Sequence, residues 1–229
     1  MNILINYFGQ PRNIPLCENV YNLHINDKIN AFHVCYSTWN TEDIVEFSKI
    51  FPSAFIMQYD YPDITKYQDI INNYKYEHYS SDISRYVYGL KIRENSINTI
   101  DEYIRLHSIN IDFIINIRTD TDIYTDNFKD EGILYRYYNL IINDTSNVYL
   151  ANKPRFDIYN VGAIPDALII SNYNNTKSIL TFPDFSSITA YDKIIHPESA
   201  TGKTIINKNI NKIFLNMYAF RWQKTRFYC

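Results

Sequence analysis

The 229 residues are enough for one sizeable domain with a full hydrophobic core, and 22 basic against 25 acidic side chains leave a net charge of −3. This charge argues against a nucleic-acid-binding protein, which is usually basic. The chain has no apolar stretch of the roughly 18 residues that span a membrane, no basic signal-like start, and three cysteines without metal or disulfide spacing, so we expect a cytoplasmic protein without a transmembrane segment.

Strand and helix patterns alternate in the first half of the chain. Short apolar runs predict three strands, at 2–8, 30–39 and 53–59. Helical spacing of apolar residues predicts two helices, at 41–51 and 80–109. Thr41 is the expected N-cap of the first helix, and the second helix is expected to break near Asn95.

The second half begins with "IDFIINIR" at 111–118, which is apolar on both faces and therefore predicts a central strand. Shorter strands are predicted at 147–152 and 167–171, and residues 198–216 predict a helix followed by a segment of either type. This alternation is typical of an α/β fold, here a single domain whose central, mostly parallel sheet is flanked by helices. Ligands of such sheets bind outside the carboxyl ends of the strands.

Two carboxylates follow the predicted central strand. The stretch "FIINIRTDTDIY" at 113–124 places Asp120 and Asp122 two residues apart, directly after Arg118. In an extended turn both side chains point to the same side, where they repel each other unless a cation lies between them. Mg²⁺ or Mn²⁺, bound through carboxylates and a ligand's phosphates, fits this pattern. The alternative is a solvated turn with an aspartate cap.

Two further stretches are expected at the same end of the sheet. In "FGQPRN", after the first strand, Gly9 permits close approach of the backbone to a ligand, and Arg12 offers a forked donor to a phosphate or a base. A simple turn with an exposed arginine is the alternative. Trp39, at the end of the second strand, is predicted either to stack on a base or sugar or to cap the core.

Five stretches in order, "NYFGQPRN", "HVCYSTW", "DFIINIRTDTDI", "NVGAIPDALIIS" and "HPES", carry a resemblance that extends over nearly the whole chain. They resemble a family of small GT-A-type glycosyltransferases that occurs in bacterial surface-polysaccharide loci, including the WavE-like lipopolysaccharide proteins, and in large DNA viruses. The resemblance implies one GT-A-like (Rossmann-like) domain over 1–229. For a viral chain the expected location is the host cytoplasm or the virion.

The resemblance also implies a metal-dependent transfer of a sugar from a nucleotide-sugar donor to a glycan or other hydroxyl acceptor, with Mn²⁺ or Mg²⁺ as the cofactor. It implies metal ligands at Asp120 and Asp122, with His196 as either a third metal ligand or an acceptor contact. Donor binding is implied for Gly9, Gln10, Arg12, Arg85, Arg118 and Asp120. Asp166 and Glu198 are the candidate catalytic bases.

Four of these residues have a structural alternative. Arg118 is equally suited to a salt bridge that orients Asp120, and Arg85 to a solvated helix face. Asp166 suits an N-cap, and Glu198 suits the first turn of a helix, where the dipole favours an acid.

Two other functions remain open. One is a non-catalytic nucleotide- or carbohydrate-binding module of the same fold. The other is a haloacid-dehalogenase-like phosphotransferase, whose Asp-x-Asp loop follows an early strand and has Thr or Val where this chain has Tyr124. The donor sugar, its base, the acceptor, the stereochemistry and the oligomeric state have no sequence signature here.

Overall fold

The structure is a computed structural model that describes residues 2–11, 32–73, 75–76, 83–119, 121–124, 133–151, 167–182, 194–195, 197–216 and 218–221. Within these ranges it describes the backbone alone at residues 32, 75–76, 83, 122–124, 133–136, 194–195, 197–199 and 218–221.

A seven-stranded sheet forms the centre of the molecule, and its spatial order is β10–β7–β8–β5–β1–β2–β3. Its strands are β1 Ile3–Phe8, β2 Phe32–Trp39, β3 Phe55–Tyr59, β5 Phe113–Arg118, β7 Val148–Ala151, β8 Leu168–Ser171 and β10 Lys212–Leu215. All of them are parallel except β8, which runs antiparallel to its neighbours β5 and β7. The predicted mostly parallel α/β sheet is confirmed, with β5 at its centre.

Six helices are described around the sheet: α1 Val45–Ile50, α2 Gln68–Asn73, α3 Ile83–His107, α4 Ile133–Asn143, α5 Tyr173–Leu180 and α6 Pro197–Asn207. Two small sheets add to them. The first pairs β4 Lys75–Tyr76 with β9 Ile194–Ile195, and the second pairs β6 Thr121–Tyr124 with β11 Tyr218–Arg221. Among the described helices, none is long and apolar enough to cross a bilayer.

The two faces of the sheet bury different side chains, because successive residues of a strand point to opposite faces. One face holds the main core, in which Tyr7, Tyr36 and Ile115 pack with Phe47 of α1 and Ile141 of α4. The other face packs on α3, where Leu4, Cys35 and Ile114 contact Ile100 and Tyr103.

Further toward the carboxyl ends of the strands, the α3 face becomes polar. Asn6 of β1 donates to Asn116 Oδ1 of β5 at 2.9 Å and to Ser96 Oγ of α3 at 3.1 Å. Asn116 in turn donates to Thr176 Oγ1 of α5 at 3.2 Å. Because these groups are buried, their mutual hydrogen bonds replace the lost contacts with water.

Several local predictions are wrong. α1 begins at Val45 rather than near Thr41, and Asp43 Oδ1 accepts a hydrogen bond from the Val45 amide at 2.8 Å. α3 runs without a break through Asn95, and residues on both sides of the expected break contact neighbouring elements: Leu90 packs against Ala200, and Ser96 and Ile100 contact the sheet. Residues 121–124 form strand β6 instead of a turn, since β11 provides backbone partners.

Candidate functional site at the carboxyl edge

The carboxyl ends of β1, β2, β3 and β5 lie along one edge of the sheet because these four strands are parallel. We call this edge, with the loops that leave it, the carboxyl edge. It includes Gly9 and Gln10 after β1, and Arg118 and Thr119 at the end of β5. The loop after β3, with Tyr61, leaves the same edge.

Gly9 lies where β1 leaves the sheet, and its backbone has a positive φ of 106°. Its amide donates to the Ser37 carbonyl at 3.1 Å, and its carbonyl accepts from the Tyr36 hydroxyl at 3.0 Å. Burial raises the pKa of Tyr36, so this hydroxyl stays protonated and remains a donor. These two hydrogen bonds to residues of β2 therefore fix the backbone conformation at Gly9.

Thr119 joins the end of β1 to the end of β5. Its amide donates to the Phe8 carbonyl at 3.3 Å, and its hydroxyl donates to the Gln10 carbonyl. A methyl group at Gly9 would lie 3.5 Å from Thr119 Oγ1, so the two loops are nearly in contact. The start of the "GQPRN" loop is thus fixed against the residue between Arg118 and Asp120.

The structure brings three of the predicted donor-binding residues to this edge. Gly9 and Gln10 follow β1, and Arg118 is a half-buried residue at the end of β5, where its amide donates to the Ala167 carbonyl at 3.2 Å. Arg85 is exposed near the start of α3, one turn before Tyr88, whose ring meets Trp39 of β2. Arg85 therefore also lies at the end of α3 that faces the carboxyl edge.

Other predicted site residues are described in part or not at all. Asp122 lies in β6, where its backbone is opposite Phe220 of β11. Glu198 is the second residue of α6, as expected for a first-turn acid, although its side chain is not described. Four predicted residues lie outside the described part of the chain: Arg12, Asp120, Asp166 and His196.

The side chains that the structure describes contain no group of three His, Cys, Asp or Glu residues able to hold a metal ion. The side chains of the three predicted ligands, Asp120, Asp122 and His196, are not among those that the structure describes. The metal site therefore remains a prediction from the sequence.

An aromatic cluster lies beside Gly9 and Gln10, and sequence reasoning found only one of its members. Trp39 is 3% exposed, so it caps the core, and Tyr61 stacks on it with ring centroids 4.6 Å apart. The ring of Tyr88 meets Tyr61 edge-on at 5.2 Å. Tyr61 is 38% exposed and forms the outer surface of the stack.

Glu42 is a further residue that the sequence did not single out. Gln10 Nε2 donates to Glu42 Oε1 at 2.8 Å, and the Tyr61 hydroxyl lies 3.5 Å from the same oxygen. Gln58 Nε2 donates a hydrogen bond to the Glu42 carbonyl at 3.1 Å. The only available signal was position, because Glu42 and Tyr61 follow the ends of two strands that reach the carboxyl edge.

A buried arginine connects α3 with the helix that carries Glu198. Arg93 is 4% exposed, donates to Thr201 Oγ1 of α6 at 3.0 Å, and lies 6.0 Å from the ring centroid of Phe8. Leu90 and Ala200 pack together in the same contact. These contacts fix α6 against the end of β1.

No protein-family model and no curated protein sequence matches the chain. Among solved structures, it is similar to S. aureus TarS 1–349 in complex with UDP, with 10% identity, a TM-score of 0.52, and coverage of 95% of this chain and 60% of that one. It is also similar to the galactosyltransferase LgtC in complex with donor and acceptor sugar analogs, with 10% identity, a TM-score of 0.50, and coverage of 93% and 72%.

The chain has a GT-A fold. At these identities the likeness establishes the fold alone. The chain spans about three fifths of the TarS fragment. Within the GT-A fold, the junction of β1 and β5 at the carboxyl edge is where an open α/β sheet is expected to bind its ligand.

Proposed function

We propose that the chain is a glycosyltransferase that moves a sugar from a nucleotide-sugar donor to an acceptor hydroxyl and depends on Mn²⁺ or Mg²⁺. The observation that carries this proposal is the junction of β1 and β5, where Thr119 contacts Gln10 one residue before Asp120. This contact joins the glycine-containing loop to the residue that precedes the carboxylate pair in the sequence. We further propose a single catalytic domain over 1–229 and membership of the WavE-like group.

In the proposed reaction the acceptor oxygen forms a bond to the anomeric carbon, and the bond from that carbon to the diphosphate breaks. The nucleoside diphosphate leaves with the bonding electrons, and the hydroxyl proton passes to a carboxylate if the enzyme inverts. Asp166 and Glu198 are the candidates for this base. Glu198 is supported by its position on α6, which Arg93 and Thr201 attach to the core.

Asp120 and Asp122 are proposed to hold the metal, with His196 as a candidate third ligand. Carboxylate oxygens suit hard divalent cations. The site's position is compatible with this role, because β5 ends at Arg118 and β6 begins at Thr121, so the pair follows the central strand directly. A metal bound here would neutralise the charge that develops on the leaving diphosphate.

The remaining predicted residues are proposed to bind the donor. The backbone at Gly9 and Gln10 allows close approach of the nucleotide. Arg12, Arg85 and Arg118 offer cationic donors to the diphosphate. None of the three arginines is replaceable by lysine without loss of the planar, forked geometry.

Calorimetric titration of UDP and GDP into the wild-type chain and into Asp122→Asn, each with Mn²⁺ and with EDTA, tests the metal. We expect binding in wild type with Mn²⁺ and at least about a tenfold loss on EDTA treatment or on substitution, because a charged ligand is removed. Asp112→Asn is the matched control, since Asp112 lies just before β5 at the opposite edge of the sheet. Equal affinity in every condition would contradict the proposed metal site.

Turnover separates the enzyme from a non-catalytic module of the same fold. With donor, Mn²⁺ and a panel of glycan acceptors, the enzyme releases nucleoside diphosphate, whereas a module binds the donor without releasing it. Binding without release for every acceptor would favour the module.

A further inference from the structure

We infer that Glu42, Gln10 and Tyr61 read the base of the nucleotide and select a base with a ring N–H next to a carbonyl, as in uracil and guanine. Cytosine and adenine, which have a ring nitrogen acceptor next to an amino group, would be rejected. This inference rests on the proposed function, because it concerns the donor of that reaction.

Three different segments of the carboxyl edge bring these residues together. Gln10 follows β1, Glu42 follows β2, and Tyr61 follows β3. Gln10 Nε2 lies 2.8 Å from Glu42 Oε1 and 3.5 Å from the Tyr61 hydroxyl. A polar pair and an aromatic ring therefore meet at the residue that directly follows Gly9.

The polar pair presents one acceptor and one donor side by side. A carboxylate only accepts hydrogen bonds, and Glu42 Oε2 has no hydrogen-bond partner among the residues that the structure describes. A glutamine amide nitrogen carries two hydrogens, of which Gln10 uses one on Glu42. Its second hydrogen is directed at the Tyr61 hydroxyl at 3.5 Å, the long limit for a hydrogen bond, so a ligand carbonyl at a normal distance would replace this contact.

This pattern is complementary to the ring N–H and the adjacent carbonyl of uracil, thymine and guanine. Glu42 would accept from the ring N–H, and Gln10 would donate to the carbonyl. Cytosine and adenine present the reverse order, so their ring nitrogen would face the carboxylate as a second acceptor. Polar groups that meet a mismatched edge lose their hydrogen bonds, which gives discrimination; Gln10 and Glu42 are half-buried, and a bound base would cover them further.

The aromatic stack offers the face on which a base would lie. Trp39 is buried and supports the inner side of Tyr61, while Tyr88 meets Tyr61 edge-on. The orientation of Tyr61 is thus fixed before any ligand arrives. Its exposed side is a flat, rigid surface of the kind on which nucleobases stack.

Calorimetric titration of UDP, GDP, CDP and ADP, all with Mn²⁺, tests the inference in wild type, Glu42→Gln and Gln10→Met. We expect wild type to bind UDP or GDP at least about tenfold more tightly than CDP and ADP, because a hydrogen bond to a charged group is involved. Both substitutions should reduce this preference to about threefold or less. Uracil and guanine share this base edge, and comparison of the affinities for UDP and GDP shows which of the two bases the site prefers.

Glu46→Gln is the matched control, because Glu46 is exposed on α1 and pairs with Lys49 at a distance from the stack. It should leave the order of affinities unchanged. Circular dichroism and the thermal midpoint of each variant separate a local effect from unfolding, and Gln10→Met provides a second test if Glu42→Gln does not fold.

Equal affinity for all four nucleotides in wild type, or tighter binding of CDP or ADP, would overturn the inference and leave the proposed function intact. The same holds for a preference that survives in both variants. Failure of every nucleotide to bind with Mn²⁺ would overturn the proposed function, and this inference with it.

Discussion

Gly9 connects the end of β1 to the loop that faces β5, and its backbone lies in a region that residues with a Cβ rarely adopt. Gly9→Ala should lower the free energy of unfolding by about 1–3 kcal/mol, the usual cost of such backbone strain. The Cβ itself would find ordinary van der Waals distance to Thr119, so the cost arises from the backbone. Urea unfolding measures the change.

Gly89→Ala is the control for this substitution. Gly89 is an exposed residue inside α3, and a methyl group there would meet nothing within 4 Å. Alanine should stabilise this helix by about 1 kcal/mol because it loses less conformational entropy on folding. Effects of the same sign at both glycines would contradict the assigned strain at Gly9.

His33 is a titratable group far from the carboxyl edge, at the start of β2. Its Nδ1 lies 2.6 Å from the Tyr103 hydroxyl, and the Tyr103 ring also packs against His107. Partial burial, and secondarily the nearby His107, lowers the pKa of His33. The folded protein therefore favours the neutral imidazole.

Because the folded pKa is lowered, the unfolded chain binds a proton first as the pH falls below about 6.5. The free energy of unfolding should consequently decrease between pH 7.5 and pH 5.5, and His33→Gln should remove part of that decrease. Urea unfolding at several pH values measures it. His107→Gln should remove less, since burial is the larger cause; an unchanged pH dependence in His33→Gln would contradict the assignment.

At the scale of elements, a buried polar layer joins the sheet to α3 and α5. Asn116 is its central member, with hydrogen bonds to Asn6, to Thr176 and to the Ile169 carbonyl. A second part of the layer links Ser37 of β2 to Thr99 of α3 at 2.6 Å. Through the Asn6–Ser96 and Ser37–Thr99 hydrogen bonds, this layer joins α3 to β1 and β2.

Asn116→Leu keeps a similar volume but removes these hydrogen bonds. The free energy of unfolding should fall by about 1–3 kcal/mol for each buried partner left without a replacement. Asn98→Leu, at an exposed position of α3, is the matched control and should change stability by no more than about 0.5 kcal/mol. Equal effects of the two substitutions in urea unfolding would show that the layer contributes little.

At the scale of the whole molecule, the sheet is most deeply covered at its centre. Every residue of β1 is buried, and so are the first five residues of β5. The edge strands β3 and β10 are only partly buried. Their backbone hydrogen bonds therefore lie closer to solvent.

Amide hydrogen exchange should follow this gradient. Peptides from β1 and β5 should exchange slowest, through global unfolding, and those from β3 and β10 faster, through local opening. Mass spectrometry of exchanged peptides measures the order. Protection of β3 or β10 equal to that of β5 would indicate that an additional element covers the edge.

The sequence by itself predicted six of the seven strands of the main sheet and its mostly parallel order, whereas β10 fell in a segment left open between helix and strand. An apolar run on both faces, as at 111–118, is possible only for a strand covered on both sides, so it predicted the central position of β5. Parallel strands then required "GQ" and "RT" to emerge at one edge, where Thr119 contacts Gln10. The local periodicity of apolar residues, together with the rule that parallel strands end at the same edge of a sheet, was sufficient to predict this part of the fold.

Tertiary structure alone decided the reversed direction of β8, the continuity of α3 and the neighbours of Gln10. Glu42 meets Gln10 across 32 residues of chain, and Tyr61 covers Trp39 across 22. Such contacts depend on how loops of different strands converge, and local periodicity carries no information about that convergence. For this reason the sequence predicted the edge of the sheet at which a ligand is expected, whereas the folded chain decided which side chains lie together at that edge.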